Sequence, residues 1–348
     1  MIRIALLPGD GVGPEVLAGP AELARTLATR GLVEVTGPWP VGASSYGASG
    51  EGLPRQTLAA CEEADAVLLG AVGEHPGVAL HDHRPETALL ALREHFDLRV
   101  SVRQVWRGDR PPMTVVRNLL GGAYTSATRT ESDGSGPAAD LFQLEPERIR
   151  ELAKIAIGYA SSAGLPLLSV DKANLLATSR LWRRVVDEVA TENGIAVEHV
   201  LVDRMAYQIA AGGPPEAVIL TEGLFGDILS DLACGRAGSI ALCGSASVRP
   251  ASPHDGQRCV GLFEPVHGSA PLRAGQDVVN PAGGYLALAA LLEWFPETIK
   301  WSVVIREALG DALEQGPVTY DLAHAGAVAA TTTEFATLVN RLVNERAQ

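Results

Sequence analysis

Leu224-Phe225-Gly226-Asp227-Ile228-Leu229-Ser230-Asp231 lies two residues beyond a short apolar run, Val218-Ile219-Leu220-Thr221. The run reads as a buried strand and the octapeptide has helical spacing, and a strand opening into a helix is the building unit of α/β proteins. On such a helix Asp227 and Asp231 stand four residues apart on one face, with Ile228, Leu229 and Leu232 expected to turn toward a core. Two like charges at that spacing repel. They need either water to screen them or a cation that both carboxylates ligate. A bare pair of this kind is more often a solvated face, so the rest of the chain has to decide.

Outward from this stretch the alternation continues. Ile2–Leu7 is a strand-like run broken by Pro8-Gly9, and Gly9-Asp10-Gly11-Val12-Gly13-Pro14-Glu15-Val16 leads into a helical pattern through Ala28. The glycines run G-x-G-x-G with Pro14 directly after, which is not a dinucleotide fingerprint; a tight turn and a loop whose amides approach a phosphate both stay open. Ala66–Gly70 is a second strand, and the loop from Ala71 to His83 holds three of the eight histidines without a carboxylate-rich setting. Arg84-Pro85-Glu86 starts a helix. Arg93, Arg99 and Arg103 precede a strand at Val115–Arg117; such arginines are solvated, or they converge on a substrate with more than one carboxylate, which the guanidinium fork matches.

The segment from Gly121 to Ala139 is rich in Gly, Ser, Thr and Asp. With β-type segments around Ala123–Arg129 and Leu141–Leu144, it is a protruding hairpin or a flexible loop. Helices are expected over Glu145–Ala163 and Ser179–Asn193, and strands over Leu165–Val170 and Val197–Val202. The first of these strands runs into Asp171-Lys172 and the second into Asp203, where α/β proteins place chemistry. Ala246–Arg258 is the loosest segment. Phe263–Pro271 reads as a loop suited to close approach of a ligand, Asn280 leads into an apolar helix through Trp294, and a final helix near Trp301–Gln315 precedes the tail Val318–Leu322.

The chain has 348 residues, 47% of them hydrophobic and 20% charged, a globular balance that excludes disorder. Its formal charge of -13, with no dense run of Lys or Arg, disfavours nucleic acid and anionic membranes as partners. No segment reaches the length of a membrane span and the N-terminal apolar run is too short for a secretory signal, so a soluble cytoplasmic protein is expected. The four cysteines show no metal-binding spacing and are expected to be buried, reduced thiols.

Six stretches then resemble, in order along nearly the whole chain, the metal-dependent β-decarboxylating dehydrogenases, the family of 3-isopropylmalate and isocitrate dehydrogenases. They are Leu7 to Val16, Arg84-Pro-Glu-Thr87 with Leu89-Leu90-x-x-Arg93, Gly121-Gly-x-Tyr124, Val170-Asp-Lys-Ala-Asn174, Phe225 to Asp231, and Phe263-Glu-Pro-Val-His-Gly-Ser-Ala-Pro271. The resemblance implies an α/β isopropylmalate dehydrogenase-like fold that is not Rossmann. It implies a nucleotide-binding domain from residues 1–98 and 238–348 and a central dimerisation domain over 99–237, with a clasp arm near 124–144.

It also implies roles. Asp227 and Asp231, with Asp203 from the second subunit, would hold Mg²⁺ or Mn²⁺, for which hard oxygen ligands are suited. Lys172 would be the base that takes the hydroxyl proton and Tyr124 the residue that helps protonate the enolate left by loss of CO₂. Arg93, Arg103 and Arg117 would hold the substrate carboxylates. Glu86, Leu89 and Leu90, with Asn174 and Leu175, would meet the rest of the substrate. Glu264, His267, Gly268, Ser269, Ala270, Arg273, Asn280 and Tyr320 would bind the nucleotide, and shared sites imply a homodimer.

Leucines facing the third substituent of a malate favour an apolar group, so a 3-isopropylmalate-like substrate leads, with isocitrate, homoisocitrate, tartrate or another substituted malate behind it. A non-catalytic regulatory subunit is a further reading, opposed by the presence of every chemical residue. The chain departs from the family pattern at Gly223, where Asn is usual, at Gln104, where Pro is usual, and at Asn118, where Glu is usual. Leu272-Arg273 stands where NAD-using members carry an Asp for the ribose hydroxyls. With Val318-Thr-Tyr-Asp321 resembling the tail of NADP-using isocitrate dehydrogenases, the lean is to NADP over NAD.

Overall fold

The computed structural model describes residues 1–78, 84–107, 110–119, 121–123, 129–130, 136–250, 258–323 and 328–347. In chain order the elements are β1 (Ile2–Gly9), α1 (Gly13–Thr29), β2 (Val33–Thr36), α2 (Ala43–Ser49), α3 (Arg55–Glu63), β3 (Ala66–Ala71) and α4 (Glu86–His95), then β4 (Val100–Arg107), β5 (Arg110–Asn118), β6 (Arg129–Thr130) and β7 (Ala139–Asp140). They continue with α5 (Pro146–Ala163), β8 (Leu167–Asp171), α6 (Ala177–Glu192), β9 (Val197–Leu201), α7 (Val202–Gly212), β10 (Val218–Thr221), α8 (Gly223–Ala237), β11 (Cys243–Val248), β12 (Gly261–Pro265), α9 (Ala282–Glu293), α10 (Ile299–Gln315) and α11 (Thr332–Arg346). The chain divides into two compact units, Met1–Leu98 with Gly238–Gln348, and Arg99–Ala237.

In the first unit the strand order is β2-β1-β3-β12-β11, parallel except for the antiparallel pair β11–β12. Its centre is α9, whose run from Tyr285 to Leu292 is buried almost all round. A helix that is apolar on every face is stable only with cover on every face, and α1, α10, β11 and β12 supply it. Gly244 lets β11 close on this helix: a Cβ there would lie 2.8 Å from the Leu286 backbone. No helix among the described residues is long and apolar enough to cross a membrane. All four cysteines are free and buried.

In the second unit β4 and β5 pair antiparallel, and β5, β10, β8 and β9 follow in parallel. Helices α7 and α8 pack together, and α8 also lies against β4 and β5. Two registers place the site. Ser101 pairs with Arg117 and Arg103 with Val115, so Arg103 and Arg117 are diagonal neighbours that share one face of the sheet. Arg117 also pairs with Thr221 of β10, the strand that opens into α8.

Several expectations are corrected. Ile228 is 59% exposed, so only Leu229 of the expected trio is fully buried. The second half of β11 and most of β12 occupy stretches expected to be loose or loop, and helices α7 and α11 stand where no helix is expected. The Gly-rich segment carries a two-stranded antiparallel pair, Arg129–Thr130 with Ala139–Asp140; Leu141–Leu144 is not strand, and residues 124–128 of the other expected β segment lie outside the described residues.

Candidate active site

The two aspartates of α8 are paired with arginine. Arg103 Nη1 lies 3.1 Å from Asp227 Oδ1 and 3.0 Å from Asp231 Oδ1, and Arg117 Nη2 lies 2.8 Å from Asp227 Oδ1. Arg103 also donates to Ser230 Oγ at 2.8 Å, and Arg117 donates to the Gly223 carbonyl at 2.9 Å. The helix can run this close to β5 because position 226 is glycine: a Cβ there would sit 2.8 Å from the Arg117 Cβ. Burial pushes the Asp231 carboxyl above its ordinary value, Arg103 opposes that shift, and Asp227 adds to it. The point between the two carboxylates is therefore one that a cation already occupies. Its donors are hard oxygens, so it fits a divalent metal.

Just before this helix stands Glu222, which the motif reading passed over. It is 3% exposed, and its carboxylate accepts from Leu224 N at 2.9 Å and Phe225 N at 2.6 Å, capping the first turn of α8. Burial raises its carboxyl; the two amides and Arg117 pull the other way. A Cβ at Gly122 would lie 3.5 Å from Glu222 Oε2, so the Gly121-Gly122 turn passes beside this cap. Tyr124 and most of the expected clasp arm fall outside the described residues.

Lys172 follows β8 and its Nζ lies 2.6 Å from Asp203 Oδ1 at the start of α7. The hydrogen bond from Lys172 holds the Asp203 carboxyl below its usual range. Among the described residues no group of three His, Cys, Asp or Glu is gathered as a metal would need, so Asp203 does not join Asp227 and Asp231 within one chain. Asn174 is exposed, and Leu175 is 69% exposed on the same loop.

The remaining candidates lie in the first unit. Arg93 on α4 pairs with Glu264 of β12 at 2.9 Å. On that helix Ala88 and Leu92 face the core, while Glu86 is exposed and Leu90 is 49% exposed, so Leu90 is not ordinary helix core. The glycine loop is a tight turn with its amides already used. Asp10 N donates to Ala71 O (2.7 Å), Gly11 N to His75 Nδ1 (3.1 Å), Val12 N to Ser269 O (2.8 Å) and Gly13 N to Asp10 O (2.8 Å).

Close by in this unit, His267 Nδ1 donates to the Gly268 carbonyl at 3.0 Å, and burial lowers the imidazole's basicity. That leaves Nε2 as an acceptor. Gly268 is exposed, Ser269 is buried, and Ala270 adopts φ +38°, a left-handed conformation that turns the loop into Pro271–Arg273. The Arg273 guanidinium lies over the Tyr320 ring, 4.4 Å from its centre, and Leu272 beside it is 89% exposed. Asn280 Nδ2 donates to Asp321 at 3.1 Å, and Asp321 also accepts from Thr319 and Ser239. Asp321 is thus the anchor of the tail that carries Tyr320, a role the motif reading did not give it.

Comparison with known proteins gives the family. Residues 3–339 match the family described as isocitrate/isopropylmalate dehydrogenase. A 3-isopropylmalate dehydrogenase from Geobacillus kaustophilus is 37% identical over 96% of this chain and 93% of its own length. One from a Synechococcus strain is 40% identical over 83% and 85%. Among solved structures, a β-decarboxylating dehydrogenase from Thermococcus kodakarensis has a TM-score of 0.80 at 30% identity, covering 99% of this chain and 97% of that one. An isocitrate dehydrogenase from Methylococcus capsulatus has a TM-score of 0.82 at 27% identity, covering 99% of both chains.

Proposed function

The chain belongs to the isocitrate/isopropylmalate dehydrogenase family, and from that premise we propose that it oxidises and decarboxylates a 3-alkylmalate of the 3-isopropylmalate type. The observation that carries this reading is the set of Arg103 and Arg117 closing on Asp227 and Asp231 in the second unit. It combines a cation position with two guanidinium forks for carboxylates.

Asp227 and Asp231 hold a divalent ion, with Asp203 contributed by a second copy. When bound, Mg²⁺ or Mn²⁺ supplies the positive charge that polarises the oxygen at C2, and the nicotinamide cofactor supplies the hydride acceptor. Arg103 and Arg117 orient the substrate carboxylates. Lys172 takes the proton of the C2 hydroxyl, and Tyr124 delivers one at C3 after CO₂ leaves. Exposed Leu175 offers apolar surface to the third substituent. Tyr207, Ile228 and Leu175 are large apolar residues left exposed in the second unit, as burial in a homodimer would explain.

For the nucleotide, Glu264, His267 through Ala270, and Asn280 form the site. Arg273 over Tyr320 favours NADP, since an arginine beside an aromatic ring suits a 2′-phosphate and no carboxylate replaces it at Leu272.

The test is a panel of 3-substituted malates with Mg²⁺ or Mn²⁺ and each nicotinamide, followed by appearance of the reduced nucleotide. Turnover of isocitrate alone would sink the 3-alkylmalate assignment. A preference for NAD of about tenfold or more in catalytic efficiency would sink the NADP lean. Lys172→Met and Asp227→Asn should each abolish turnover while the protein stays folded.

A further inference from the structure

We propose that Asp171 and Arg183 are a positioning pair that fixes the backbone on which Lys172 is mounted. The proposal rests on the reading of Lys172 as the base. Asp171 ends β8 and is 2% exposed, and a buried carboxylate of this kind persists only when paired. Arg183, from the second turn of α6, meets it with both arms of its fork: Nε to Oδ2 at 2.6 Å and Nη2 to Oδ1 at 3.1 Å. The same Oδ1 accepts from Ala173 N at 2.7 Å, the amide that follows Lys172.

Helix α6 holds the loop at other points as well. Lys172 N donates to Ser179 Oγ at 3.1 Å, and Arg180 Nη1 donates to the Ala173 carbonyl at 3.1 Å. The Lys172 carbonyl accepts from Leu175 N and Leu176 N at 3.0 and 2.9 Å. From the neighbouring strand β9, His199 brings Nδ1 to 3.9 Å from Asp171 Oδ2, while its Nε2 is engaged by Asp187 at 2.8 Å. The backbone on both sides of Lys172 is therefore tied, while its side chain stays able to reach Asp203.

Packing alone does not hold this loop. A cavity of about 490 Å³ opens beside it, lined by Ala173, Asn174, Arg183, His199, Leu201 and Arg204. If the clamp is cut, the loop has room to move. A shift of about 1 Å at a proton-transferring group costs on the order of a hundredfold in rate. Neither Asp171 nor Arg183 is asked to touch substrate; each acts through the position of Lys172.

The experiment compares Arg183→Ala, Arg183→Lys, Asp171→Asn, the double variant Asp171→Asn/Arg183→Ala, and Lys172→Ala. All are full-length enzyme, assayed with the best malate and nicotinamide, at a temperature where circular dichroism shows each folded. Arg183→Ala should lower kcat about 10- to 100-fold with the nucleotide KM held within about twofold. Arg183→Lys should recover part of that loss, and the double variant should be no slower than the slower single one. Folded Arg183→Ala with kcat within about twofold of wild type would overturn the proposal. Additive losses in the double variant, or a nucleotide KM rising in step, would overturn it as well, because they mark general damage. If Arg183→Ala does not fold, Asp171→Asn and Arg183→Lys decide by the same criteria. Turnover surviving in Lys172→Ala is a separate result: it removes Lys172 as the base and leaves the fate of the clamp to the remaining variants.

Discussion

Arg103→Met tests whether the arginine holds the place of the metal. Arg103 Nη1 is 3.1 Å from Asp227 and 3.0 Å from Asp231, with the arginine side chain 12% exposed and the carboxylates 36% and 52% exposed. At an effective dielectric of about 20, unit charges ~3 Å apart attract by roughly 5 kcal/mol. The exposed carboxylates are screened, however, and measured pairs of this kind contribute about 0.2–1 kcal/mol each. Two such pairs set a competition of about 0.4–2 kcal/mol against any cation that enters. Methionine keeps the volume and removes the charge, so the substrate-free enzyme should bind Mn²⁺ about 2- to 30-fold more tightly. The malate KM should rise in the same variant, because one carboxylate fork is gone. Calorimetric titration of Mn²⁺ into chelator-treated protein, beside steady-state kinetics, reads both. Mn²⁺ affinity that is unchanged or weaker in Arg103→Met would refute the reasoning.

Three further outcomes are expected. Glu222 is raised by burial, so its contribution to stability is fully present below its unfolded value near pH 4.5 and is lost as pH rises through the raised folded value. Glu222→Gln should therefore gain on wild type as pH rises, against a constant loss of about 1 kcal/mol for one of the two cap bonds; unfolding midpoints over a pH series check this, and a flat difference contradicts it. Arg273→Ala should lower catalytic efficiency with NADP about tenfold or more and leave NAD nearly unchanged, as loss of one charge-assisted contact predicts. Cys61 and Cys259, both pushed up to about 12 by burial, should resist iodoacetamide until the protein unfolds, and native-state labelling at the rate of a free thiol would contradict their burial.

What the sequence makes legible follows the strength of its periodic signals. The apolar strands β1, β3 and β10 and the helices α1, α5 and α9 stand out because each fills a face with large apolar residues. Strand β11 does not: Cys243-Gly-Ser-Ala-Ser-Val248 is fully buried yet made of small residues, because α9 presses so close that a larger side chain at 244 would strike it. Helix α11 was legible and was missed. Thr331 and Glu334 form a capping box ahead of Phe335, Val339 and Val343, which recur every four residues. Ordered motifs are legible even where each is weak alone, and the family they indicate is the one the comparisons return.

The partners of the motif residues were not legible, because they are set by register and not by spacing along the chain. Arg103 and Arg117 are fourteen positions apart in sequence but come to one face because β4 folds back on β5 with Ser101 opposite Arg117. That pairing brings two guanidinium groups to Asp227 and Asp231, partners that spacing along the chain does not reveal. The same holds for the buried acids Glu222 and Asp171, each placed immediately before a chemical element, α8 in one case and Lys172 in the other. In sequence they are single charged residues at the end of apolar strands. In the fold each is desolvated and bonded to the backbone amides that follow it, so that strand end, buried carboxylate and functional side chain form one rigid step. Motifs record the side chains that act, and the residues that aim them emerge only when the sheet is assembled.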